Sequence, residues 1–313
     1  MLSVGSILAG AFGLVRRNPL AVLVWGLLYT AAIASLFFAM RPVLQVYGEM
    51  ISQQMAKGPG APMDPEALQP FMARLQAAGG LVFLAEIGIF VLIMVLFTAA
   101  QRAVLRPAER GFFYLRVGGD ELRMIALGFF VMVCIYIGSF VASLVLILFG
   151  AILAFALGSP GAVVAVFLLC FLALMGAITY FEVRVSLAFP LTFLRGTFVF
   201  ADAWRLTKGR FWTLFGAYFV IMLVYMLLAS ILLGVVVAPF FSALASAGDN
   251  QEAMQAAVSQ EAANLLTFGP RMIAILGGAV VTTGLTIGLF GGAIATAARD
   301  LAPDEAKRAD TFA

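Results

Sequence analysis

The chain has 313 residues, of which 63% are hydrophobic and 11% charged, and its mean hydropathy is +1.07. Such values exclude a water-soluble domain. The net charge of +3 and pI near 9.0 say less than where the positive residues fall along the chain.

Backbone groups in hydrocarbon must be satisfied within their own segment, so each run of about 20 apolar residues predicts a helix crossing a layer roughly 30 Å thick. Six such runs occur: Leu20 to Met40, Leu81 to Ala100, Met124 to Phe149, Ala162 to Phe181, Thr213 to Pro239 and Met272 to Ala298. The expected fold is all-α, a polytopic integral membrane bundle of six transmembrane helices. Ahead of the first run, Arg16-Arg17 with the later Ala32-Ile33-Ala34 loosely resembles a cleavable twin-arginine signal. Apolar residues before the arginines, the full-span length and a similar unit in mid-chain favour a first helix that stays in place.

Between the first two runs, residues 41–80 form an external loop, broken at Gly58-Pro59-Gly60-Ala61-Pro62. Asp64-Pro65-Glu66 supplies a cap, a first-position proline and a first-turn acid for a helix reaching Gly79-Gly80. The third run can continue to Leu157, and only the uncharged turn of Gly158, Ser159, Pro160 and Gly161 separates it from the fourth, so those two form a tight hairpin. In the last external loop, 240–271, residues Asn250 to Leu266 have helical composition, with Asp249 or Asn250 as cap. Each of these loop helices is read as an outward extension of the span that follows it.

Orientation follows from charge. One side holds Arg16, Arg17, Arg102, Arg106, Arg110, Arg116, Arg123, Arg184, Arg195, Arg205, Lys208, Arg210, Arg299, Lys307 and Arg308; the other holds only Arg41, Lys57, Arg74 and Arg271. Over short loops this is a strong positive-inside bias, which places both termini in the cytoplasm.

The even-numbered spans end alike, at Thr98 to Arg102 with Pro107, Thr179 to Arg184 with Pro190, and Thr296 to Arg299 with Pro303. Short amphipathic stretches containing Leu14, Leu115 and Leu206 precede the odd-numbered spans. The reading is three repeated hairpins with cytoplasmic interfacial helices, 1–107, 108–190 and 191–303, within one membrane domain.

Candidate chemistry is sparse. Glu86 is the acid placed well inside a predicted span, and intramembrane acids often mark ion or proton pathways; near a helix end such a side chain also reaches the interface. Gly284, Gly288 and Gly292 make a GxxxGxxxG run suited to close helix contact, within the bundle or between copies. Met40, Met50, Met55, Met63 and Met72 are irregularly spaced and unsupported by His or Cys, so packing explains them better than a metal. Cys134 and Cys170 lie in apolar segments without metal or disulfide spacing. The basic segments with Phe112, Phe113, Tyr114, Trp204, Phe211 and Trp212 suit a headgroup layer rather than nucleic acid. With no His, no phosphate-binding loop and no dinucleotide fingerprint, neither an enzyme nor a cofactor is expected.

The stretch RVSLAFPLTFLRGTFVFADAWRLTKGRFWTLFGAYFV, Arg184 to Val220, carries a recognisable pattern. It resembles the membrane domain attached to some bacterial glycerophosphoryl diester phosphodiesterases and its stand-alone six-helix relatives, in which Arg-x-Ser-Leu-x-x-Pro leads to Ser/Ala-Trp-x-Leu-Thr-Lys/Arg-Gly. The matching positions are Arg184, Ser186, Leu187, Pro190, Ala203, Trp204, Leu206, Thr207, Lys208 and Gly209. The resemblance implies a six-span membrane domain and no catalysis, because in the fused proteins the phosphodiesterase chemistry belongs to a separate soluble barrel.

Residue by residue, Pro190 is placed to end the fourth helix, Trp204 to seat at the interface, and Lys208-Gly209 to terminate the helix before the fifth span. Arg184 is placed to meet a phosphate headgroup or to pair with Glu182 or Asp202. Two functions follow as expectations. One is a non-enzymatic membrane protein that organises lipids or partner proteins, itself included as a homo-oligomer, with Arg102, Arg184 and Arg299 contacting anionic headgroups or bracing the repeats. The other is a transporter or channel for a small amphipathic or lipid-like molecule.

Overall fold

The computed structural model describes residues 2–57, 65–248, 250–266 and 269–303, and among them there is no strand. Six stretches are long and apolar enough to cross a membrane: Pro19–Tyr47, Met72–Leu105, Phe112–Leu157, Gly161–Arg195, Phe211–Ala247 and Pro270–Leu301. The protein is an all-α, multi-pass membrane bundle.

The first helix, α1 (Val4–Arg17), opens with a reciprocal cap in which the side chains of Ser3 and Ser6 each accept from the other's backbone N–H. Its Ile7, Ala11 and Leu14, spaced at helical intervals, are buried on one face. Pro19 then starts α2 (Pro19–Lys57), where the missing N–H is no loss.

Residues 41–80 are less of a loop than their composition suggests. Helix α2 runs through Pro42 to Lys57, and α3 (Pro65–Leu105) passes Gly79 and Gly80 without a break. A mid-helix glycine costs only about 1 kcal/mol relative to alanine, which a long apolar helix tolerates. The proposed break at Gly58 to Pro62 and the cap at Asp64 lie outside the described residues.

Helices α4 (Gly119–Leu157) and α5 (Pro160–Val185) form the expected tight hairpin. Gly158 takes φ +65°, and the Ser159 hydroxyl accepts from the N–H of Ala162. Cys170 packs within the hairpin, its thiol directed at the Leu146 carbonyl beside Gly150.

Two short helices follow, α6 (Ala188–Arg195) and α7 (Phe200–Leu206), and then α8 (Phe211–Ala247). Helix α8 passes through Pro239, the expected end of the fifth span. Helix α9 (Gln251–Leu266), capped by Asn250, does not extend the sixth span; α10 (Pro270–Leu301) begins afresh at its own proline. Asp249, the other expected cap, lies outside the described residues.

The stretches that precede the odd spans also differ. The first is the 14-residue α1, the second a 3-10 turn at Phe112–Tyr114 with Phe113 and Tyr114 at positive φ, and the third the seven-residue α7.

The chain divides into two compact units: Met1–Pro19, Met94–Met226 and Thr286–Ala313 form one, Leu20–Ile93 and Leu227–Leu285 the other. The first has a continuous apolar core that includes Ile7, Leu127, Leu187, Leu214, Ile221 and Leu289. Gly292 is buried there against Ala11 and Leu14. In the second unit α2 crosses α10 so closely that a Cβ on Gly26 would lie 2.0 Å from the Val280 carbonyl oxygen, and one on Gly284 would lie 2.3 Å from that of Val22. The hydroxyls of Thr30 and Thr283 meet beside this crossing at 3.1 Å. Gly288 is buried as well. Gly284 and Gly292 thus both lie at close approaches within the chain.

Candidate functional site at the end of the fourth span

Helix α5 does not stop at Phe181, where the apolar run ends. It continues through Glu182 and Arg184 to Val185 and gives way to α6 after a short break at Ser186 and Leu187. Pro190 explains where the break falls: its ring has no N–H to offer the Ser186 carbonyl and crowds it, so the helix cannot run on unbroken. The proline therefore sits in the first turn of α6, past the end of α5 rather than at it.

Arg184 is buried, with 5% of its surface exposed. Its guanidinium lies over the Trp204 ring at 4.6 Å from the centroid and 6.0 Å from that of Tyr180. Nε has no hydrogen-bond partner. Among the described residues neither Glu182 nor Asp202 pairs with it; Asp202 instead accepts from Arg195.

The residues around it hold this geometry. Thr207, fully buried, donates to the Arg184 carbonyl, which ties the end of α7 to the end of α5. Gly209 at φ +76° turns the chain out of α7, while Lys208 is exposed. Trp204 is half-buried in an aromatic cluster with Tyr180 and Phe181, so it is more enclosed than an interfacial anchor. A buried cation needs a countercharge, and ring faces supply only part of that need.

Arg102, the equivalent position at the end of the second span, is satisfied very differently. Its guanidinium pairs with Glu121, donates to the Tyr114 carbonyl at 2.6 Å and lies 3.4 Å from Glu109. Arg106 joins Asp120 and the Phe193 carbonyl, and the Tyr114 hydroxyl donates to Asn18 at the end of α1. Arg102 is therefore enclosed and paired within the chain. Arg299 is exposed at the end of α10, so the three signature arginines occupy three different environments.

A second feature lies in the same unit: an apolar cavity of about 670 Å³, with walls that include Val131, Ile135, Phe189, Phe215, Met222 and Phe290. That volume falls within the roughly 300–1,000 Å³ of small-molecule sites. Thr179, Glu182, Ser186 and Tyr218 are its polar residues. Glu182 makes no hydrogen bond or ion pair among the described residues. Ser186 and Tyr218 join by their hydroxyls at 2.9 Å.

Family models, curated proteins and solved structures give no match to this chain. Interpretation therefore rests on its own residues. Arg184, Trp204, Pro190, Lys208 and Gly209 are brought to one region by α5, α6 and α7. Glu86 is exposed on α3 and is not among the cavity residues. No cluster of three or more metal-binding side chains occurs among the described residues.

Sequence reasoning missed the cavity. Because the apolar run stops at Phe181, Glu182 reads as a loop residue, and nothing in the spacing brings Tyr218 to Ser186. The carboxylates around Arg102 left a fainter trace, since Glu109, Asp120 and Glu121 interrupt an otherwise basic connection.

Proposed function

We propose that the protein is a non-enzymatic, multi-pass protein of a bacterial inner membrane that binds and organises anionic lipid at its basic, cytoplasmic face. The observation that carries this reading is Arg184, a buried guanidinium with no carboxylate partner at the end of a membrane span. A phosphate is the natural complement, because the guanidinium fork donates two parallel hydrogen bonds to it. The resemblance of Arg184 to Val220 to a membrane domain without chemistry of its own supports the same reading. The test is thermal unfolding of purified protein with phosphatidylglycerol or phosphatidylcholine added. Stabilisation by the anionic lipid alone, lost in Arg184→Gln, supports the proposal; equal effects of both lipids on both proteins contradict it.

A second reading, passage of a lipid-like molecule, is favoured by the cavity in the first unit. Exchange of a fluorescent lipid between leaflets of reconstituted vesicles decides it. Rates above those of protein-free vesicles favour passage, and equal rates remove it.

A further inference from the structure

The polar residues of the 670 Å³ cavity are unequal in what they offer a ligand. The Ser186 Oγ is placed to donate to the Val183 carbonyl at 2.9 Å. The Ser186 and Tyr218 hydroxyls meet at 2.9 Å, a contact in which either oxygen can be the donor. In either arrangement the Tyr218 oxygen keeps at least one lone pair to offer. Glu182, as a carboxylate, adds two more acceptor oxygens and a negative charge, and no cation among the described residues pairs with it. Thr179 has the one remaining hydroxyl. The rest of the lining is aliphatic and aromatic, Phe189, Phe215, Phe219 and Phe290 among it.

The cavity, open at the surface where Glu182, Phe219 and Met222 are exposed, thus combines a mostly apolar lining with a few polar groups that include an unpaired carboxylate. We propose that it binds an amphiphile with a hydrocarbon chain and a primary ammonium head, the ammonium pairing with Glu182 and donating to the Tyr218 oxygen while the chain lies among the phenylalanines. Charge and hydrogen-bond inventory both favour this head: an alcohol leaves the carboxylate without a counterion, and a phosphate or carboxylate meets like charge. Arg184 is not among the residues that line it. A free long-chain amine and the amino headgroup of a membrane phospholipid present the same chemistry.

The test is photolabelling of the full chain in detergent with an alkylammonium carrying a photoreactive group on its chain, compared with the chain-matched alcohol. The ammonium probe is expected to label peptides containing Phe215 to Met222 or Phe290 to Ile294 about tenfold more than the alcohol at equal concentration, the effect of one well-placed charged contact. Glu182→Gln is expected to erase that preference, and Glu182→Asp to keep most of it. Ile294→Trp, which adds bulk to the cavity lining, is expected to lower labelling by both probes.

A parallel arm uses photoreactive phosphatidylethanolamine in nanodiscs. Labelling of the same peptides makes the membrane lipid the source, whereas labelling by the alkylammonium alone makes the ligand a free amine. Equal labelling by ammonium and alcohol in the native protein, or a preference that survives in Glu182→Gln, overturns the proposal.

Discussion

The indole of Trp204 lies over the guanidinium of Arg184, 4.6 Å from ring centroid to Cζ, while no carboxylate among the described residues pairs with that cation. The stack holds the charge in place without neutralising it, and so leaves a position for an external anion. Replacing the ring separates holding from binding. Trp204→Phe keeps a face for the cation, whereas Trp204→Leu removes a contact of this kind that contributes about 0.5–2 kcal/mol. The leucine variant is expected to show the lower thermal midpoint in detergent and the weaker stabilisation by phosphatidylglycerol.

Arg102 and Arg299 share a sequence signature but should behave as opposites. Removing the Arg102 side chain leaves Glu121, 3% exposed, without its partner, and breaking a buried pair costs about 3–5 kcal/mol. Arg299 is exposed, and Arg299→Gln should change stability by no more than about 0.5 kcal/mol. Thermal unfolding of Arg102→Leu and Arg299→Gln beside the native protein tests both statements.

These contrasts show what the sequence made legible. Apolar runs of span length located all six crossings, because the bilayer leaves the backbone few other choices. The hairpin turn was equally legible, since Gly158, Ser159 and Pro160 each have a specific local role. Helix ends were not. The first and fifth apolar runs stop at Met40 and Pro239, but α2 and α8 continue past both positions. Nor did equivalent spacing assign equivalent roles to Arg102, Arg184 and Arg299, because what each arginine meets depends on residues distant in sequence. Glu121 lies 19 positions from Arg102, and Trp204 lies 20 from Arg184.

The crossing of α2 and α10 gives a steric prediction. At Gly26 and Gly284 the nearest atoms are backbone carbonyl oxygens, which cannot swing aside as a side chain would. Gly26→Leu or Gly284→Leu should force the helices apart and destabilise the protein by about 1–3 kcal/mol or more. Gly138 and Gly277, where an added Cβ meets nothing within 4 Å, are the matched controls and should accept alanine with little change.

The Arg271 guanidinium, 2.7 Å from Glu261 and 2.7 Å from the Val236 carbonyl, anchors α9. Its hydrogen bond holds the Glu261 carboxyl below the usual glutamate value of 4.5. A carboxyl depressed on folding contributes attachment that is fully present above its unfolded pKa and is lost as pH falls through the folded one. Mobility of a probe at Met254, attached through Met254→Cys with both native cysteines replaced, should stay low at neutral pH and rise only below about 4.5. In Arg271→Gln the probe should already be mobile at neutral pH.

The central claim is that Arg184 holds an anionic headgroup, and native mass spectrometry of protein released from its own membrane tests it most directly. The native protein should carry at least one anionic phospholipid, and Arg184→Gln should lose it while Arg299→Gln keeps it. The same anionic lipid bound in equal amount to the native and Arg184→Gln proteins would contradict the account.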